Sequence, residues 1–89
     1  MRIGFVGCGF VADHYMTTLA NHRKLVLAGA YDRNPERLAV FCRHYGAKAF
    51  GSLDALLAEP EIALVLNLTN PHSHFEVSRA TLEIGRAHV

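Results

Sequence analysis

The stretch Val6-Gly7-Cys8-Gly9-Phe10-Val11-Ala12 (VGCGFVA) reads Gly-x-Gly-x-x-Ala. It follows a short β-type run, RIGFV at 2–6, and opens FVADHYMTTLA, where Val11, Tyr15, Thr18 and Leu19 recur at helical spacing. A strand that turns through glycines into a helix makes a separate demand at each small residue. Gly7 permits the tight turn, Gly9 lets a pyrophosphate approach the backbone, and Ala12 lets the helix pack close on the strand. The helix start offers free N–H groups and the positive end of a dipole to the phosphates. A glycine turn serving close packing alone would use similar residues, so the neighbouring stretches decide.

The apolar run LVLAGAY (25–31) ends at Asp32, 20 positions after Ala12. An acidic residue about 20 positions on is the expected partner of such a loop, because its carboxylate accepts hydrogen bonds from the adenosine ribose. It also repels a 2′-phosphate, which favours NAD over NADP. Arg33 keeps NADP open, since a guanidinium can fold over a 2′-phosphate or stack on adenine.

Further along, NPERLAVFCRHYG carries helix punctuation: Asn34 as cap, Pro35 and Glu36 in the first turn, Gly46 as stop. AKAF reads as a brief strand and SLDALLAE as a helix capped by Ser52. IALVLNL (62–68) reads as a strand apolar on both faces, and SHFEVSRATLE as a helix with Ser73 and Glu76 at capping-box spacing. The order βαβαβαβα predicts an α/β fold. It is a partial doubly wound Rossmann fold, with a parallel sheet of about four strands and helices on both faces. In strand order 3-2-1-4, the first and fourth strands meet at the switch point where ligands bind. NLTNPHSH (67–74) then places Thr69, Asn70 and His74 in the crevice of the glycine loop. A polar strand-to-helix turn, punctuated by Asn70-Pro71 and capped by Ser73, accounts for much of the same stretch without a ligand.

Composition narrows the function classes. Half of the 89 residues are hydrophobic (51%) and the net charge is +1 with scattered Lys and Arg, which points away from nucleic acid and membrane surfaces as partners. No apolar run approaches the ~20 residues of a membrane span. Cys8 and Cys42 lack metal-ligand spacing and fit a reducing cytoplasm. Cys8 reads as a small apolar filler within the loop. His72 and His74 lack further ligands nearby, so no metal site is expected. His14, His22 and His44 read as polar positions on helix surfaces.

Together these stretches resemble the N-terminal domain of the Gfo/Idh/MocA oxidoreductase family, from Arg2 to about Leu82. The segments that carry the resemblance are GFVGCGFVADHYMTTL, LAGAYDRNPERL, YGAKAFGSLDALLAEPEIALVLNLTNP and HSHFEVSRATLE. The resemblance implies an NAD(P)-binding Rossmann domain followed by an α/β domain that supplies substrate contacts and an oligomer interface. The implied reaction moves a hydride between a nicotinamide and a sugar, polyol or related carbonyl compound, in a homo-oligomer. Gly7, Gly9, Phe10, Val11 and Ala12 match the family's pyrophosphate loop, and Asp32 and Arg33 its ribose-recognition positions. Thr69, Asn70, Pro71 and His74 match its segment beside the nicotinamide. Many members carry a histidine where this chain has Tyr15, and no role passes to His14.

The family continues after its fourth helix into a segment bearing the usual catalytic lysine, which this chain lacks. Its last residues, EIGRAHV with a stop, can be encoded as GAG-ATC-GGA-AGA-GCA-CAC-GTC-TGA. From the second base that string matches a widely used sequencing adapter. The expectation is therefore a cofactor-binding region at 1–82 and an adapter-encoded tail at 83–89. The catalytic lysine and the substrate domain would be absent. Resequencing the locus tests this: native codons for IGRAHV in an adapter-free clone would overturn it. Two functions remain at this point, the cofactor half of an oxidoreductase and a non-catalytic NAD(P)-binding or redox-sensing module.

Overall fold

In the computed structural model the described residues are 1–69 and 71–85, with 71–75 and 84 described by backbone alone. Strands β1 (Arg2–Val6), β2 (Val26–Tyr31), β3 (Lys48–Ala49) and β4 (Leu64–Asn67) alternate with helices α1 (Phe10–Leu19), α2 (Pro35–Tyr45), α3 (Leu53–Leu57) and α4 (Pro71–Ile84). They form one parallel sheet in the order β3-β2-β1-β4, as expected.

Alternation along β1 divides the core. Ile3 and Phe5 point to the face covered by α1 and α2, where they meet Ala12, Leu38, Phe41 and Cys42. Val6 points to the opposite face, with Leu56 and Leu57 of α3 and Val77 of α4. The β1–β2 register shifts between Ile3 and Gly4, so that Ile3 pairs with Leu27 but Gly4 with Gly29. That shift lets Leu27 and Ala30, three apart, serve the same face. Gly29 is required here by packing, since an added Cβ would lie 2.3 Å from the Phe50 ring.

Local chemistry sets the helix ends. The Asn34 side chain accepts from the amides of Glu36 and Arg37, at 3.0 and 3.2 Å. Such a cap contributes about 1 kcal/mol. Ser52 caps α3 through the Ala55 amide at 3.1 Å, and Gly46 ends α2 at φ 71°.

Two expectations differ in detail. β4 is four residues rather than seven, because its ladder ends where β1 ends: Val6 pairs with Asn67, and Ile62 instead turns back to Glu59. Helix α4 begins at Pro71, two residues before the expected cap Ser73. Proline suits a first helical position, where its missing N–H costs nothing. The helix then continues past Leu82 to Ile84, and Gly85 follows at φ 81°. Among the described residues, no helix is long and apolar enough to cross a membrane.

Candidate dinucleotide site

The glycine loop is held on both sides by the strands that flank β1. The Gly7 amide donates to the Tyr31 carbonyl at 2.8 Å, and the Leu68 amide to the Val6 carbonyl at 2.8 Å. Gly7 has φ +100°, and a Cβ there would lie 2.9 Å from the Leu68 carbonyl carbon and oxygen. Both the conformation and the close approach demand glycine. The Cys8 amide then donates to Asp32 Oδ2 at 2.8 Å. The Cys8 thiol is buried, and burial with the Asp32 charge beside it pushes its pKa up to about 12. At neutral pH it is a protonated filler rather than a reactive thiolate.

Gly9 is different. Its φ of −88° and ψ of −155° suit any residue, and among the described residues a Cβ there would meet only Arg37 Nη1, at 3.7 Å. No contact among the described residues demands glycine at this position. The first intrahelical bond of α1 runs from the Asp13 amide to the Gly9 carbonyl at 3.2 Å. The amides of Phe10, Val11 and Ala12 therefore have no intrahelical acceptor. An open approach over a glycine, ending at orphan amides and a helix dipole, is the geometry that receives a diphosphate.

Asp32 is 9% exposed, and its carboxylate already serves the protein. Oδ2 accepts from Cys8, Oδ1 accepts from the Asn34 amide at 2.7 Å, and Arg37 Nη1 lies 3.8 Å from Oδ2. The residue expected to recognise ribose is thus also the staple that joins the loop to the end of β2. Each carboxylate oxygen retains acceptor capacity for a ribose hydroxyl.

At the end of β4, the Asn67 side chain is buried and bracketed. Its Oδ1 accepts from Thr69 Oγ1 at 2.5 Å and from the Thr69 amide at 3.3 Å, while its Nδ2 donates to Ser78 Oγ at 3.1 Å. Asn67 therefore positions Thr69 and ties β4 to α4.

These elements enclose one cleft of about 510 Å³. Of the residues singled out from sequence, Gly7, Gly9, Phe10, Val11, Asp32, Arg33 and Thr69 line it. Phe10, 87% exposed, stands at its rim, whereas Ala12 lies fully buried beneath it as a packing residue. Asn70 lies outside the described residues, as do the side chains of Pro71, His72 and His74. Among the described residues, no group of three or more His, Cys, Asp or Glu is placed to hold a metal. Sequence reading missed Arg37 and Asn34, which also line the cleft. A basic residue in the first turn of α2, where acids are favoured, was the available signal for Arg37.

A family profile, Gfo/Idh/MocA, described as an oxidoreductase family with an NAD-binding Rossmann fold, matches residues 1–89. UDP-N-acetylglucosamine 3-dehydrogenase of Acidithiobacillus ferrooxidans is 33% identical over 85 residues, covering 96% of this chain and 26% of that protein. The WlbA dehydrogenase of Bordetella pertussis, solved with NADH and UDP-GlcNAcA, superimposes with a TM-score of 0.89 at 28% identity, over 98% of this chain and 27% of its own. Biliverdin reductase of Synechocystis sp. PCC 6803, solved with biliverdin and NADP+, gives a TM-score of 0.86 at 29% identity, over 98% and 28%. The chain spans about a quarter of the length of these proteins.

Proposed function

The chain belongs to the Gfo/Idh/MocA oxidoreductase family, and from that premise we propose that residues 1–82 are the dinucleotide-binding part of an NAD(P)-dependent oxidoreductase. The observation that carries this reading is Gly9, a glycine that none of the described residues requires, beneath an approach to amides without an intrahelical acceptor. In this reading the diphosphate lies over Gly7 and Gly9, against the amides that open α1. Phe10 and Val11 shield it from water at the rim, and Asp32 and Arg33 face the adenosine ribose. Thr69, Asn70, Pro71 and His74 flank the nicotinamide half, with Thr69 held by Asn67. A bound nicotinamide supplies the hydride acceptor or donor.

For the substrate we propose a sugar, polyol or related carbonyl compound. The support is the sugar-nucleotide dehydrogenase of Acidithiobacillus ferrooxidans and the sugar nucleotide bound to the Bordetella pertussis relative. We propose, on the family resemblance, that substrate contacts, a catalytic lysine and a homo-oligomer interface lie outside this cofactor-binding region.

The binding reading is tested by calorimetric titration of this chain with NAD+. Saturable binding is expected, weakened about tenfold or more by Gly9→Ala at unchanged thermal stability. A folded chain that binds no dinucleotide, or a Gly9→Ala variant that binds equally well, overturns it. The substrate class is tested by following reduced-nicotinamide absorbance with a panel of sugars, polyols and sugar nucleotides, on a chain that includes the lysine segment. Turnover of none of them overturns the substrate reading alone.

A further inference from the structure

The stability of β4 does not explain Asn67. The position is buried at the end of the strand, on the same face as the fully buried Val65. An apolar residue there would extend the core that Val65 and Val77 already build. Asparagine instead brings a buried oxygen and nitrogen that must both find partners. It finds them in Thr69, at the mouth of the cleft, and in Ser78 of α4.

The Thr69 amide settles the direction of these bonds. A backbone N–H can only donate, so the asparagine atom facing it at 3.3 Å is the oxygen, Oδ1. That oxygen carries no proton, so the Thr69 hydroxyl, 2.5 Å away, must donate to it. Nδ2 is turned to the other side and donates to Ser78 Oγ at 3.1 Å. Exchanging Oδ1 and Nδ2 would set two donors, Nδ2 and the Thr69 amide, against each other. A hydroxyl has one proton and two acceptor lone pairs. Thr69 lines the cleft with its proton already given inward to Asn67. What its hydroxyl retains for a ligand is acceptor capacity alone.

On the dinucleotide reading above, we propose that Asn67 is a positioning residue that fixes Thr69 as an acceptor, so that this end of the cleft selects a ligand group with an N–H donor, the carboxamide of a nicotinamide, over an isostere without one. The test is calorimetric titration with three probes: NAD+, its 3-acetylpyridine analogue, in which a methyl group replaces the carboxamide nitrogen, and ADP-ribose, which lacks the ring. The wild-type chain is expected to bind NAD+ about tenfold more tightly than the analogue, because the methyl group leaves the Thr69 acceptor unpaired. Asn67→Leu frees the hydroxyl to turn and should reduce that ratio to less than about threefold, with ADP-ribose affinity changed by less than about threefold. Thr69→Val should do the same. Asn67→Asp keeps an acceptor facing Thr69 and should restore the ratio. Circular dichroism melting checks that the variants fold, and Asn67→Ala carries the measurement if Asn67→Leu does not fold. Equal losses of NAD+ and ADP-ribose in the Asn67 variants would give the residue a general structural role and overturn the proposal. A wild-type chain that binds NAD+ and the analogue equally, a ratio that survives the loss of Asn67, or a folded Asn67→Asp variant without the preference overturns it as well. Failure of the folded wild-type chain to bind any of the three probes overturns the underlying reading instead.

Discussion

Gly7 and Gly9 are two residues apart in one loop, yet they are glycine for opposite reasons. Gly7 faces inward. Its φ of +100° and the Leu68 backbone 2.9 Å from any Cβ leave no room for a side chain. Gly9 faces the cleft with ordinary dihedral angles, and a Cβ there would make only an ordinary van der Waals contact with Arg37 Nη1 among the described residues. The inner half of the loop is constrained by the protein, and on the proposed reading the outer half is constrained by the dinucleotide. Asp32 stands between them, supporting the inner half through the Cys8 amide while its remaining acceptor capacity faces the cleft.

Four measurements can break or sharpen this contrast. Gly7→Ala should have the largest effect, because strain at positive φ and a backbone clash act together. A loss of about 3 kcal/mol or more is expected in urea denaturation, with dinucleotide binding lost as well. Asp32→Ala should come next. It leaves the Cys8 and Asn34 amides without their acceptor, at a cost of about 1–3 kcal/mol in the same assay. Gly9→Ala should shift stability by less than about 0.5 kcal/mol while still weakening NAD+. If it destabilises the fold as much as Gly7→Ala, the division of the loop fails.

The smallest effect at neutral pH concerns Cys8, whose contribution appears only in alkali. Its folded pKa of about 12 lies above the ordinary 9.0. The folded state therefore keeps a proton that the unfolded state releases above pH 9. Stability is unaffected below that pH and falls as pH rises from 9 toward 12. A Cys8→Ala variant should lose that part of the alkaline decline in thermal melts. An identical alkaline profile in both proteins would remove Cys8 from the account.

Much of this architecture was legible from local chemistry. Asn34, Ser52 and Gly46 act within a few residues of themselves, and the structure finds them capping the helices they were expected to cap. The glycine loop was legible because strand, turn and helix are contiguous. What sequence reading missed depends on partners distant along the chain. Arg37 reached the cleft only because β1 and β2 pair, bringing the start of α2 beside Gly9. Asn67 read as one polar residue among several, and its bracket with Thr69 and Ser78 exists only once α4 folds back on β4. The length of β4 was overestimated for a related reason. An apolar run marks what can be buried, while the ladder ends where β1 ends.

The amino-acid sequence by itself determined the element order, the helix caps and the chemical kind of site, because periodicity, turn residues and glycines act over short stretches. Tertiary structure decided that Gly7 is demanded by Leu68 and Gly9 by none of the described residues. It also made Asp32 an internal staple and set a cation beside it. Arg37 reaches Asp32 from five residues on, whereas the Gly7–Leu68 and Asp32–Cys8 contacts join segments more than 20 residues apart. Only sheet pairing and the packing of helices on its two faces bring such segments within reach.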